Sequence, residues 1–377
     1  MIPEERLRAL PDAARAHFVR LEMYAVRMIA ARIGNPRHLE AHRYGRMALI
    51  GADLRALDAE IARAAGLAAR DVRAAMAEAS RLEYRGVRIH ADALGRRLPA
   101  WETDAALQRL VDEMAGATSG TFSNITGSRA VGMATHHGRV LPLPEFYRET
   151  VDHLALRARA GMDDWSRAVR DAARAMADGG LRGLVWESGY SLRLDTALRR
   201  EVMAGLSRLS TAQAEMTAGK LGADGMEITW HDGYRPSHGF GGRQVTMLEW
   251  RTEYRARLME PNCCHRAHPI FLGISTPAYT EEWLAGQRAA NEREFEVGGR
   301  VFNRYSAEQA QRRFEAEIRK ARGRAEAYAA AGLAPGIVNP ERVRARRLMG
   351  EYRAFSAAAG LPARDNRTWA WTGAAVR

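Results

Sequence analysis

The sequence predicts an α+β, mostly α fold, with an N-terminal helical arm, a central α/β module holding a small sheet and a loop knot, and C-terminal basic helices. Three observations predict it. Most of the 377 residues follow Ala/Arg/Leu/Glu patterns with apolar positions three and four apart. Gly225 to Ser275 instead gathers both cysteines, four of the eleven histidines and a dense set of Gly and Pro, the composition of irregular backbone. The two ends are basic and the middle is near neutral.

In chain order, Asp12 caps a first helix whose apolar face is Phe18, Leu21, Val26 and Ile29, and Asn35-Pro36 ends it. A second helix runs through Met47, Leu54 and Ile61 until Gly66 breaks it, and a third runs from Asp71 towards Leu94. Glu102 to Met114 is a short helix. Ala115 to Leu143 loses all periodicity and reads as a long loop carrying His136-His137. Helices resume from Pro144 to Ala160, and from Asp163 or Asp164 to Asp178-Gly179-Gly180. Leu184-Val185-Trp186 reads as a buried strand, Leu194 to Lys220 as a long helix, and Met226 to Trp230 as an alternating strand. Thr280 caps a helix to Arg293. Ser306-Ala-Glu-Gln309 has the pattern of a capping box opening a helix to Ala331, and Pro340 to Ala359 is the last helix. The division expected from this is residues 1–114, an N-terminal helical region; 115–300, the central module; and 301–377, basic helices and tail.

A hydrophobic share of 46% is that of a globular protein. No apolar run approaches the roughly 18 residues of a membrane span, so no membrane contact is expected. The opening Met1-Ile-Pro-Glu-Glu-Arg lacks the basic-then-apolar order of a signal peptide. Cys263 and Cys264 are adjacent and form no ordinary disulfide with each other, which fits a reducing compartment. The formal charge is +12, and all basic residues except Lys220 and Lys320 are arginine. Residues 1–100 carry 18 basic against 12 acidic groups, 101–300 carry 24 against 26, and 301–377 carry 15 against 7. Basic ends favour an anionic partner, nucleic acid first.

Enzyme signatures are missing: there is no Gly-x-Ser-x-Gly, Walker loop, dinucleotide glycine fingerprint or His-Glu-x-x-His. The polar residues of the central stretch are read as a structural knot of His231, Arg235, Ser237, His238, Asn262, Cys263 and His265. Arg235, Asn262 and His265 are expected to lie together and tie its two turn-rich halves through side-chain partners for free backbone groups. Two other readings stay open. His231, His238, Cys263 and His265, with Cys264 and His268 nearby, are metal-ligand types, and zinc is the ion such a set would take, although the spacing matches no zinc finger. A His/Cys pair is also a nucleophile arrangement, but no carboxylate is placed by sequence to orient the imidazole. Towards the C-terminus, Arg312, Arg313, Arg319, Lys320, Arg346 and Arg347 are candidates for sequence-independent contact with DNA phosphates. The competing reading is a solvated helix face paired with Glu308, Glu315, Glu317 and Glu326.

These residues resemble a known family. Ala197-Leu-Arg199-Arg200-Glu-Val202 is followed by Ala223-Asp224-Gly-Met226-Glu227, then His231-Asp-Gly233-Tyr-Arg235-Pro236-Ser237-His238, Asn262-Cys263-Cys264-His265 and Pro269 to Ser275. Ala177-Asp178-Gly-Gly-Leu181, Ser188-Gly189 and Phe122-Ser-Asn124-Ile-Thr126-Gly127 fit upstream, and Gln311-Arg312-Arg313 to Ile318-Arg319-Lys320 fit downstream. The ordered series, over roughly residues 115–360, resembles the minor capsid, or head-morphogenesis, proteins of tailed bacteriophages (the MuF-like group). Phe240-Gly241 and Cys264 stand where that pattern has Trp-Gln and Arg. The resemblance implies a structural virion protein, not an enzyme, made in the host cytoplasm and bound near the portal vertex inside the head. Its implied partners are portal and capsid proteins, together with non-specific contact to packaged double-stranded DNA. The alternatives from other classes are a metal-dependent hydrolase using the His/Cys cluster 231–268 and a sequence-independent DNA-binding protein.

Overall fold

The computed structural model describes residues 2–126, 131–135, 137–160, 162–184, 191–260 and 262–368. His136, Gly127, Val185-Trp186, Ser188-Gly189 and the tail beyond Thr368 lie outside the described residues. The chain opens with helices α1 (Glu4–Ala9), α2 (Asp12–Ile33), α3 (Pro36–Ala93) and α4 (Ala105–Thr126). Strands β1 (Val131–Ala134) and β2 (Val140–Pro142) precede α5 (Leu143–Ala160) and α6 (Met162–Gly179), and β3 (Leu181–Leu184) and β4 (Ser191–Arg193) follow. After α7 (Leu194–Leu221) come β5 (Gly225–Ile228) and β6 (Gln244–Thr246). Next, α8 (Met247–Glu249) passes through a π-helical turn, Trp250–Tyr254, into α9 (Arg255–Leu258) and then β7 (Ala267–Ile270). The chain ends in α10 (Glu281–Glu292), the hairpin β8 (Phe295–Val297) and β9 (Arg300–Phe302), α11 (Arg304–Ala330) and α12 (Pro335–Ala358). An α+β, mostly α fold is therefore what forms.

Several boundaries differ from the sequence reading, each for a physical reason. Gly66 does not break a helix; α3 is continuous over 58 residues. A glycine costs a helix about 1 kcal/mol relative to alanine, and its alanine-rich surroundings exceed that cost. The stretch expected as a loop from Ala115 is helical to Thr126 and then becomes the β1–β2 hairpin. Its small residues serve close packing: a Cβ on Gly205 of α7 would lie 2.3 Å from Thr118 Oγ1. α11 begins two residues before Ser306, because Asn303 is its cap. Asn303 Oδ1 accepts from Ser306 N and Ser306 Oγ accepts from Asn303 N, both at 2.9 Å, a reciprocal box with Ser306 three residues into the helix. α12 begins at Pro335, where a missing N–H costs nothing, and carries Pro340 inside it.

Two compact units form. The first is built from Met1–Ala14, Ala68–Thr121 and Leu198–Glu308. It holds an antiparallel sheet in the order β6-β5-β7, with Met226 opposite both Val245 and Pro269. Met226, Ile228, Phe240, Val245, Trp250 and Tyr254 pack with Ala214 and Ala218 of α7 into its core. Each fully buried side chain of this size stabilises by roughly 1.5–3 kcal/mol. The β8–β9 hairpin of this unit turns at Gly298-Gly299, both at positive φ, as a tight two-residue hairpin turn requires.

The second unit is built from Arg15–Leu67, Phe122–Ala197 and Gln309–Arg377. Its sheet has the order β2-β1-β3-β4, antiparallel throughout. Val131, Met133 and Leu181 of the sheet are buried, as are Phe146 and Leu154 of α5 and Val169 and Met176 of α6. Buried ion pairs run through the same unit. Asp195 accepts from Arg15 at 2.9 Å and from Arg319 at 3.1 Å, Glu22 pairs with Arg193, and Arg324 grips Asp178 at 2.6 and 2.7 Å.

Candidate functional site

The loop knot lies in the first unit, between β5 and β7. Leaving β5, the chain passes His231 and turns at Gly233 (φ 66°), where Gly233 N donates to Asn291 Oδ1 of α10 at 2.6 Å. A short 3-10 turn, Pro236–His238, follows, with Arg235 at its start in extended conformation. The second half approaches through Asn262, whose φ of 62° is the only positive value at a non-glycine among the described residues. Asparagine tolerates that conformation better than most residues, so its place in the motif is a backbone requirement.

At the centre is the ring of His265, buried and boxed by three others. Its centroid lies 4.7 Å from that of His231, 4.9 Å from Phe240 and 6.0 Å from His238. Cys263 Sγ lies 3.5 Å from His265 Nδ1, and Arg257 stacks over Phe240 at 4.7 Å. His238 accepts from Ser237 Oγ at Nδ1 (3.0 Å) and donates from Nε2 to the Arg257 carbonyl (3.3 Å). His231 Nδ1 donates to the Asp232 carbonyl at 2.7 Å. Arg235 pairs with Glu260 at 3.0 Å and is close enough for its charge to act on His265. His231, Ser237, His238, Cys263 and His265 thus meet in one cluster with Arg235 near it, while Asn262 contributes a left-handed backbone position.

The electrostatics follow from this packing. Burial, then the neighbouring His231, His238, Arg266 and Arg235, pushes His265 well below the usual histidine value. Burial, then Arg235, lowers His238 as well. Burial pushes the Cys263 thiol up to about 11, so it stands protonated near neutral pH and is a poor nucleophile or metal ligand. The imidazoles face each other as rings; His231 Nδ1, both nitrogens of His238 and His265 Nδ1 meet carbonyls, a hydroxyl and a thiol. His265 Nε2 is buried without a hydrogen-bond partner, and the carboxylates of Glu4 and Glu260 lie 3.7 Å from His231 Nδ1 and 3.5 Å from His238 Nε2. Among the described residues no group of three or more His, Cys, Asp or Glu is placed to hold a metal ion. His268 instead pairs with Glu227 at 3.3 Å, and Cys264 lines a cavity.

Three residues of the knot escaped the sequence reading. Arg266 is 6% exposed and donates to the His265 carbonyl at 2.7 Å and to Ser207 Oγ at 3.1 Å. Phe240 and Arg257 supply the fourth ring and its cation. In a chain with 57 basic residues, nothing in the sequence distinguishes a buried arginine from a solvated one.

The basic candidates separate into two groups. Arg312, Arg313, Arg346 and Arg347 are exposed, Arg347 lying 3.4 Å from Glu351. Lys320 pairs with Glu317 at 2.7 Å. Arg319 is turned inward onto Asp195, so its expected phosphate contact is replaced by an internal one. Burial of a charged group is unfavourable unless it is paired, and Asp195 fixes the side chain's direction.

These features describe a mostly helical protein whose densest polar cluster holds its own loops together. A model of the phage minor capsid protein 2 family matches residues 2–356, and the chain belongs to that family. It is a phage minor capsid protein and hence a virion component. Comparison with curated proteins and with solved structures returns no match. Among the described residues no helix is long and apolar enough to cross a membrane.

Proposed function

We propose that this chain is a structural head-morphogenesis protein held inside the phage head near the portal vertex, without catalytic activity, and made in the host cytoplasm. Its partners are the portal and capsid proteins. The observation that carries this reading is the family match over residues 2–356, which includes the knot and most of both units. The knot supports it: a buried ring cluster whose central His265 is held well below the usual histidine value, beside a protonated thiol, stiffens loops and presents no activated nucleophile. Cross-linking mass spectrometry of purified particles, with copy-number estimation, tests it. A few copies per particle, cross-linked to portal subunits, is the expected result. Absence from washed particles, or cross-links confined to the outer shell, overturns it.

Contact with packaged duplex DNA is a second part of the proposal. Arg312, Arg313, Arg346 and Arg347 support it, being exposed on the unit that also carries the excess basic charge of residues 301–377.

A further inference from the structure

Ile89 of α3, Ile274 after β7 and Trp283 of α10 are 63%, 69% and 41% exposed, and all three belong to the first unit. Their neighbours join them into one patch. His90 Nε2 meets Ser275 Oγ at 3.0 Å, which sets Ile89 and Ile274 on adjoining segments. Arg96 lies over the Phe271 ring at 5.8 Å, a second tie between the same two segments. His90, Thr276 and Tyr279 line one cavity, and Tyr279 stacks on Trp283 with ring centroids 5.1 Å apart. Pro277 and Ala278, between them, are exposed as well. Single apolar side chains on a surface are ordinary, but a contiguous group rimmed by charge marks a protein–protein contact.

The rim carries opposite signs at its two ends. On the α3 side, Arg85 and Arg88 are exposed beside Ile89, Arg85 one helical turn before it. Arg88 has only Asp92 near it, at 4.0 Å among the described residues. On the α10 side, Glu281 and Glu282 stand in the first turn of the helix, exposed and immediately before Trp283. Among the described residues no ion pair engages Arg85, Glu281 or Glu282.

We propose that this patch is a two-fold dimer interface whose occupant is a second copy of this chain. A rim of one sign needs a partner of the other sign, whereas a rim with a basic end and an acidic end is complementary to itself turned by a half-rotation. Two-fold pairing sets Arg85 and Arg88 of each copy against Glu281 and Glu282 of the other, with the apolar centres face to face. The aromatic stack supplies a rigid anchor of the kind that dominates such contacts. The inference does not rest on a position near the portal.

Sedimentation velocity of the full chain tests this. The mass is expected to rise from 41.8 kDa towards twice that value, and no further, as concentration rises from about 1 to 100 µM. Ile274→Asp should hold the chain as a monomer with its helical circular dichroism unchanged. Two charge-reversed chains give the sharper result. Glu281→Lys with Glu282→Lys, and Arg85→Glu with Arg88→Glu, each set like charges against each other at both ends and should be monomers alone. Mixed in equal amounts they regain opposite charges at both ends and should form a heterodimer. If either reversed chain does not fold, Ile274→Asp and the wild-type series decide. A wild-type monomer at about 100 µM assigns the patch to another occupant and overturns the proposal. So do growth beyond a dimer, dimers of Ile274→Asp or of either reversed chain alone, and failure of the folded reversed chains to pair.

Discussion

Arg319 Nη1 lies 3.1 Å from Asp195 Oδ2, and Arg15 Nη2 reaches the same oxygen at 2.9 Å. One carboxylate that is 5% exposed thus holds two guanidinium groups from distant parts of the sequence. Burial pushes Asp195 up, but Arg15, Arg319 and Arg193 outweigh it and hold the group well below the usual carboxylate range. Removing the carboxylate strands buried positive charge. Asp195→Ala is expected to destabilise the fold by about 3–5 kcal/mol, read as a lower midpoint in urea denaturation. A shift below about 1 kcal/mol would mean that the arginines rearrange into solvent.

The boxed His265 sets a pH dependence. Its folded-state value is depressed, so the unfolded chain binds the proton first as pH falls. Between the ordinary histidine value near 6.5 and the lower folded value, stability therefore rises with pH. The melting temperature is expected to climb from pH 5 to 7. His265→Phe, which keeps a ring in the box, should flatten that slope, and His265→Ala should cost on the order of 2–4 kcal/mol through the cavity it leaves. Arg235→Ala removes a half-exposed pair with Glu260 and should cost less than about 1 kcal/mol. A slope that is the same in the His265→Phe variant places the titrating group elsewhere.

Two glycines of the second unit separate space from backbone strain. A Cβ on Gly34 would lie 2.1 Å from the Ala331 carbonyl oxygen, and backbone there cannot move aside as a flexible side chain would. Gly332 has φ of 69° with nothing within 4 Å of the added carbon. Gly34→Ala is expected to cost about 3 kcal/mol or more by overpacking. Gly332→Ala should cost about 1–2 kcal/mol from the left-handed backbone alone. Thermal unfolding of the pair checks the order, and equal losses would contradict the close contact.

DNA binding, if carried by the exposed arginines, has a salt signature. Four phosphate contacts predict that log K falls with log salt at a slope of about −3.6. Replacing Arg312, Arg313, Arg346 and Arg347 by alanine should remove most of that slope, measured by fluorescence anisotropy on duplex DNA. Arg319→Ala is not informative here, because its loss disturbs Asp195. An unchanged slope in the fourfold variant removes these residues from any DNA contact.

Local signals were the legible ones. Thr280 caps α10 as its sequence suggests, with Oγ1 accepting from Trp283 N at 3.2 Å, and Gly222 closes α7 at a φ of 68°. The strand from Met226 was visible, but its alternation misleads at Glu227, which is buried and accepts from Ala278 N at 2.8 Å. β6 and β7 were missed because they are three and four residues long and β7 contains Pro269. Their identity as strands comes from pairing with β5, a non-local fact. The knot was legible as a concentration of His, Cys, Gly and Pro. That Cys263 is a packing residue and Arg266 an interior one depends on burial, which residue types in an arginine-rich chain do not encode.

Each compact unit is assembled from three separated stretches of chain, and the two sets alternate along the sequence. During synthesis, therefore, neither can finish as the ribosome moves forward. Residues 1–14 wait for partners that end at Glu308, and residues 15–67 wait for a stretch that begins at Gln309. Half-made chains expose apolar surface until late in translation, a state open to aggregation and to chaperone capture. Cutting the gene at a loop boundary then yields no autonomous piece, so variants of this protein are best made by point substitution in the full chain.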